Sequence, residues 1–154
     1  MSELSIKTIP RENWKSIQQL SVGKEQAHFI ETATECFQDA ITDAYHIQWS
    51  FYGIYEQDTL IGFAMHGVQK FGMLPYSQVW LDRFMIDYNY QGKGYGKKSL
   101  EYILEKMQEE YECKKIYLSV HETNEAAIGL YEKLGFRKTW WKDPKGERVM
   151  RKKK

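Results

Sequence analysis

The sequence predicts an α/β fold of the α+β kind, with a mixed, mainly antiparallel sheet of about seven strands and helices on both faces. Three observations predict it. β-Leaning runs of strand length come as adjacent pairs joined by polar turns, over residues 50–66 and 136–151. Between those pairs, strand-like and helix-like stretches alternate, at 78–86, 99–111, 114–120 and 124–134. A glycine-rich turn, Gln91-Gly-Lys-Gly-Tyr-Gly96, joins the apolar run ending at Ile86 to a strongly helix-prone segment. At 154 residues the chain suffices for a single domain with a real core, expected over 1–154.

Leu4–Ile9 reads as a short strand. Pro10 and the polar residues after it open a helix with Trp14, Ile17 and Leu20 at helical spacing. Glu25–Ala44 reads as one or two helical pieces with the stripe Phe29, Ala33, Phe37, Ala40 and Ile41. Ser50–Tyr55 and Leu60–His66 are strands around the turn Glu56–Thr59, and Gly62 marks a bulge or a close backbone neighbour. Phe71–Tyr76 is a loop. Gln78–Ile86 is the strand before the glycine turn, and Leu100, Ile103, Leu104 and Met107 are the buried stripe of the helix after it. Lys114–Val120 is a strand, expected parallel to Gln78–Ile86 through a crossover helix. Asn124–Leu134 is a helix ended by Gly135. Phe136–Trp141 and Arg148–Arg151 form the last hairpin around Asp143–Gly146.

Composition narrows the function. The net charge is +1, but acids and bases are separated: residues 24–58 carry seven acids and one base, residues 133–154 ten bases and two acids. The short basic end Arg151–Lys154 reads as a solvated terminus, and no nucleic-acid partner is expected. Cys36 and Cys113 have no metal-ligand spacing and read as buried free thiols, and no metal is expected. With no signal-peptide pattern and no apolar run of about 18 residues, the expectation is a cytoplasmic protein without a membrane span.

Strand, glycine turn and helix N-terminus together form an anion site. Glycine lets backbone approach a ligand closely, and the first helical turn offers about four unpaired N–H groups at the positive end of the dipole. The spacing of Gly92, Gly94 and Gly96 fits neither a nucleotide P-loop nor a dinucleotide fingerprint. It does fit Gln91-x-x-Gly94-x-Gly96. This resembles motif A of the GCN5-related N-acetyltransferases, (Arg/Gln)-x-x-Gly-x-(Gly/Ala). A second stretch, Asn124-x-x-Ala127-x-x-x-Tyr131-x-x-x-Gly135-Phe136, is similar to another pattern of the same family, and the resemblance spans the whole chain.

The resemblance implies an acyl-CoA N-acyltransferase fold in which the strand ending near Ile86 and the strand 114–120 splay apart to admit the pantetheine arm of acetyl-CoA. It implies that the loop residues Gln91, Gly92, Lys93, Gly94, Tyr95, Gly96 and Lys97 hold the pyrophosphate, and that backbone N–H groups at Phe84, Met85 and Ile86 polarise the thioester. It implies Tyr131 as the general acid and Asn124 on the pantetheine arm. Read alone, Tyr131 also fits the core stripe of its helix, and Asn124 also fits an N-cap. Asp82 alternates in phase with Trp80 and Phe84 and is the leading candidate base. It reads equally well as a structural ion pair with Arg83 or Lys114. Glu31, Glu35, His121 and Glu122 follow as candidates, and His121 also reads as a structural histidine at a strand end.

Acetyl transfer needs a neutral amine, a polarised carbonyl and a proton for the departing thiolate. Two features point to a polyamine as the amine. Glu31, Glu35 and Asp39 share one helical face, which suits amines spaced along a flexible cation; a solvated face is the other reading. Trp49, Phe51, Tyr52, Tyr76 and Trp80 could wall alkyl stems and ammonium groups, or fill the core. The phrases FIETATECFQDA, WLDRFMID and GE-x-VM also resemble the bacterial spermine/spermidine acetyltransferases of the family. The alternatives are an aminoglycoside or other small-amine acetyltransferase, and a non-catalytic acyl-CoA-binding module. Trp140 and Trp141 suggest a homodimer surface.

Overall fold

The computed structural model describes residues 3–20, 47–70 and 77–153. The helices expected over 25–44 and the loop expected over 71–76 lie outside them. Four apolar-rich runs, the basic run Arg148–Lys153 and two short edge strands build one seven-stranded sheet in the order β1-β2-β3-β4-β5-β7-β6. The strands are β1 (Leu4–Thr8), β2 (Ile47–Glu56), β3 (Thr59–Lys70), β4 (Ser77–Ile86), β5 (Lys115–Val120), β6 (Phe136–Lys142) and β7 (Arg148–Lys153). Every neighbouring pair is antiparallel except β4 and β5, which run parallel. Helix α1 (Tyr95–Tyr111) connects those two, and α2 (Glu125–Lys133) connects β5 to β6.

Each face of the sheet has its own apolar cluster. Under the α-helices, Leu100, Ile103, Leu104 and Met107 of α1 and Ile128 of α2 pack on Tyr52, Ile54, Leu81, Ile116 and Leu118. That is the predicted helical stripe meeting one face of period-two strands. On the opposite face Trp14 and Ile17 cover Phe51, Phe63, Met65 and Met85. Trp14 and Ile17 belong to a 3₁₀ helix, Arg11–Gln19, rather than the expected α-helix. Asn13 N donates to Pro10 O, three residues back, and Trp14 Nε1 is tied to Ile9 O at 3.1 Å.

Three irregularities shape the sheet. Ile54 pairs with Gly62 and Tyr55 with Leu60, so Ile61 is an extra residue in β3. A Cβ on Gly62 would run into the Met85 carbonyl oxygen, so Gly62 is both beside a bulge and against a close backbone neighbour. In β4, Met65 faces Arg83 and His66 faces Leu81, which makes Asp82 the extra residue. In β6, Lys138 pairs with Met150 and Lys142 with Arg148, so residues 139–141 arch over Val149 alone. Trp140, at the crown of that arch on an edge strand, is 85% exposed.

Candidate active site

The site begins where β4 and β5 part. Among the described residues their parallel ladder is a single register pair, Trp80 with Tyr117. Beyond it, toward the C-terminal end of both strands, Phe84, Met85 and Ile86 have no register partner on β5. A wedge-shaped gap therefore opens between Arg83–Ile86 on one arm and Leu118–Val120 on the other.

At the mouth of that gap the chain turns through Asp87–Gly94 into α1. The buried Asp87 starts the turn: its N–H donates to Ile61 O at 2.7 Å, and its carboxylate accepts from Asn89 N at 3.0 Å. Gln91 braces the loop, with Nε2 donating to Ile86 O at 2.8 Å and its backbone N–H to Tyr88 O at 3.3 Å. Gly92 and Gly94 have φ of 76° and 84°, conformations that disfavour any side chain. Gly94 is the N-cap of α1, with no side chain to cap it and no acid in the first turn. The leading N–H groups of α1 are thus available to an outside acceptor, with Lys93 and Lys97 exposed beside them. A Cβ at Gly92 or Gly96 would meet nothing within 4 Å, so the ligand side of this cradle is open. Tyr95 is buried and anchors the helix start by donating to Glu56. The cradle fits a pyrophosphate: backbone amides, the ammonium groups of Lys93 and Lys97, and no acid in the first turn of α1.

Tyr131 enters from α2. It is partly buried and meets Phe136 edge-on at 5.8 Å. Burial pushes its phenol up to about 12; the Glu147 carboxylate adds to the rise and the Arg83 guanidinium opposes it. The phenol stays protonated through the neutral range. Asn124 caps α2, its Oδ1 accepting from Ala127 N at 3.2 Å, as the N-cap reading had it.

Asp82 corrects one expectation. Because it is the extra residue of a bulge, the alternation breaks there: Trp80 packs into the cluster over the 3₁₀ helix, whereas Phe84 packs under α1. Asp82 is in phase with Trp80 but not with Phe84. The bulge also brings neighbouring side chains together, and Arg83 Nη1 lies 2.7 Å from Asp82 Oδ2. His121 sits at the end of β5 in a turn, with Nδ1 2.7 Å from Thr123 Oγ1. Glu122 is at the surface, paired with Arg148 at 2.6 Å. Of the proposed aromatic walls, Trp49, Phe51 and Tyr52 are core, none more than 7% exposed. Among the described wall residues only Trp80 stands at the gap. Glu31, Glu35, Asp39 and Tyr76 lie outside the described residues. Cys113 is partly rather than fully buried, and Cys36 lies outside the described residues.

The sequence reading missed four residues here. Tyr117 lies between Trp80 (ring centroids 5.4 Å) and Trp141 (5.7 Å, nearly parallel), making an aromatic row at the apex of the gap. Ser119 donates to Glu147 at 3.3 Å on the β5 arm. Tyr117 and Ser119 are alternate residues of one strand, a signal that was present but unassigned.

An open gap in a mixed sheet with an anion cradle at its mouth is the arrangement of an acyltransferase that takes a thioester carried on a phosphate-bearing arm. Comparison with known proteins agrees: residues 14–136 match the model of the acetyltransferase (GNAT) family, and the chain belongs to that family. Among its relatives is the spermine/spermidine N(1)-acetyltransferase of Bacillus subtilis, 40% identical over 154 residues, with 96% of each chain covered. Solved structures share the fold at low identity. An aminoglycoside acetyltransferase in complex with coenzyme A superposes with a TM-score of 0.75 at 17% identity, covering 99% of this chain and 95% of that one. The spermidine N-acetyltransferase of Vibrio cholerae with CoA and spermine gives 0.66 at 19%, covering 96% and 92%. Among the described residues no helix is long and apolar enough to cross a membrane.

Proposed function

We propose that this protein transfers the acetyl group of acetyl-CoA to a primary amine of a polyamine of the spermine/spermidine class, by direct attack in a ternary complex. The observation that carries the reading is the uncapped start of α1 behind Gly92 and Gly94, at the mouth of the gap between β4 and β5. The full-length relation to the Bacillus enzyme supports the polyamine over the aminoglycoside, because the latter's likeness is one of fold.

In this reading the amides of Gly92–Lys97 and the ammonium groups of Lys93 and Lys97 hold the pyrophosphate. Gln91 keeps the loop in shape, and Asn124 meets the pantetheine arm. Acetyl-CoA supplies an activated acyl group. Backbone N–H groups at Phe84–Ile86 turn toward its carbonyl and stabilise the charge that develops there. Tyr131 gives its proton to the departing sulfur. A carboxylate facing the gap takes the proton of the substrate ammonium, and Asp82, beside the apex, is one candidate. Trp80, His121, Glu31 and Glu35 are proposed on the amine side. Trp140, exposed on an edge strand, supports a homodimer.

Thiol release from acetyl-CoA, measured with spermidine, kanamycin and a lysine peptide side by side, tests the reading. Spermidine should be the preferred acceptor. CoA binding without turnover of any amine would favour a binding module instead, and preference for kanamycin would favour the aminoglycoside class.

A further inference from the structure

Two carboxylates stand on opposite arms of the gap, and among the described residues only one is matched by a cation. On β4, Asp82 lies 2.7 Å from Arg83. On the other arm, Ser119 is in register with Val149, so Glu147 projects from the same side of the sheet as Ser119 and receives its hydroxyl at 3.3 Å. Among the described residues no cation pairs with the Glu147 carboxylate. Nearby acids differ: Glu122 holds Arg148 at 2.6 Å and Lys142 at 3.7 Å, and Asp143 accepts the N–H groups of Lys145 and Glu147 at 2.9 and 2.8 Å. That last bond, with Asp143 N donating to Glu147 O at 2.8 Å, fixes the backbone from which Glu147 reaches Ser119 on the β5 arm.

Ser119 lies two residues past Tyr117 on the same strand face, about 7 Å along the strand. Glu147 therefore stands just outside the aromatic row Trp80–Tyr117–Trp141. Its field reaches the Tyr131 phenol. A carboxylate without a cation, beside stacked rings and close to the proton donor, is matched to an alkylammonium head.

We propose that Glu147 is the carboxylate that receives the reacting ammonium and takes its proton, leaving Asp82 to hold Arg83 on the opposite arm. This rests on the N-acetyltransferase reading above. The ammonium gives one proton to Glu147, and the freed lone pair attacks the thioester carbonyl carbon. The C–N bond forms, then the C–S bond breaks with its electrons on sulfur, which takes the phenol proton of Tyr131. The remaining excess proton on nitrogen returns to the Tyr131 oxygen, and Glu147 releases its proton to solvent.

The test compares wild type, Glu147→Gln and Asp82→Asn with primary amines of falling pKa, down to one already neutral at the assay pH. Glu147→Gln should lose about tenfold to a thousandfold in kcat/KM with fully ionised amines. The loss should shrink toward nothing for the neutral amine and as pH rises. Affinity for CoA by calorimetry should match wild type. A loss of equal size for every amine, or no loss, overturns the proposal. So does a pKa-dependent loss that appears in Asp82→Asn instead. If the wild-type protein acetylates no amine at all, the transferase reading fails first and takes this inference with it.

Discussion

Trp80 and Tyr117 are register partners where β4 and β5 last touch, their rings 5.4 Å apart, and Trp141 continues the row on the other side of Tyr117. Tyr117 is 7% exposed, so its ring packs the last register pair before the strands part. Tyr117→Ala should lower stability by about 3 kcal/mol, the usual cost of deleting a buried aromatic ring. Tyr117→Phe should recover most of that, because stacking needs the ring and not the hydroxyl. Urea unfolding midpoints with a constant m-value check it. An alanine variant as stable as wild type would mean that the row is incidental to the opening of the sheet.

Tyr131 is kept protonated by burial and by Glu147. A group in that state can donate when the sulfur departs. Tyr131→Phe keeps the ring that meets Phe136 and removes only the proton. It should lower kcat by roughly tenfold to a thousandfold with the affinity for CoA unchanged. Unaltered turnover would take Tyr131 out of the chemistry and leave it as part of the α2 packing stripe.

Gly62 supports the active site from behind. Any Cβ there would meet the Met85 carbonyl, on the β4 arm whose amides are proposed to face the thioester. Backbone cannot swing aside as a side chain can. Gly62→Ala should cost about 1–3 kcal/mol, as overpacking does, and should lower kcat more than it raises the KM for acetyl-CoA. Thermal unfolding and initial rates on the same preparation separate the two effects. Loss of stability with normal kcat would show that β4 moves without disturbing the reacting geometry.

The fold was legible because its signals are local. A period of two marked the hairpins, a helical period marked α1, and Gly92, Gly94 and Asn124 occupy turn and cap positions that only a few residue types fill. The amine side was much less legible. The bulge at Asp82 adds one residue between Leu81 and Arg83 and leaves no trace in the pattern, yet it moves Phe84 to the other face. Trp141 reaches Tyr117 only because residues 139–141 arch over Val149. Glu147 joins the site through Ser119, 28 residues away along the chain. Such contacts depend on register between distant strands, which composition does not encode.

His66 lies beside the same bulge and gives the fold a pH dependence. It is 2% exposed, stacks on Tyr52 at 3.7 Å, and has Nδ1 2.6 Å from the Tyr111 hydroxyl. Its Nε2 is buried with no hydrogen-bond partner. Burial pulls its pKa down to about 4, with Glu110 opposing and Lys106 adding to the fall. Between that value and the ordinary 6.5 the unfolded chain binds more protons than the folded one. The stability from neutral His66 is therefore complete above the upper value, declines as pH falls through the window and levels off at its lower end. The total is on the order of 3 kcal/mol. His66→Gln cannot titrate there, so its unfolding free energy should lose that part of the pH slope. Denaturant titrations of both proteins across the window measure the difference. Parallel slopes would mean that another group drives the acid destabilisation and that the buried imidazole finds a way to hold its proton.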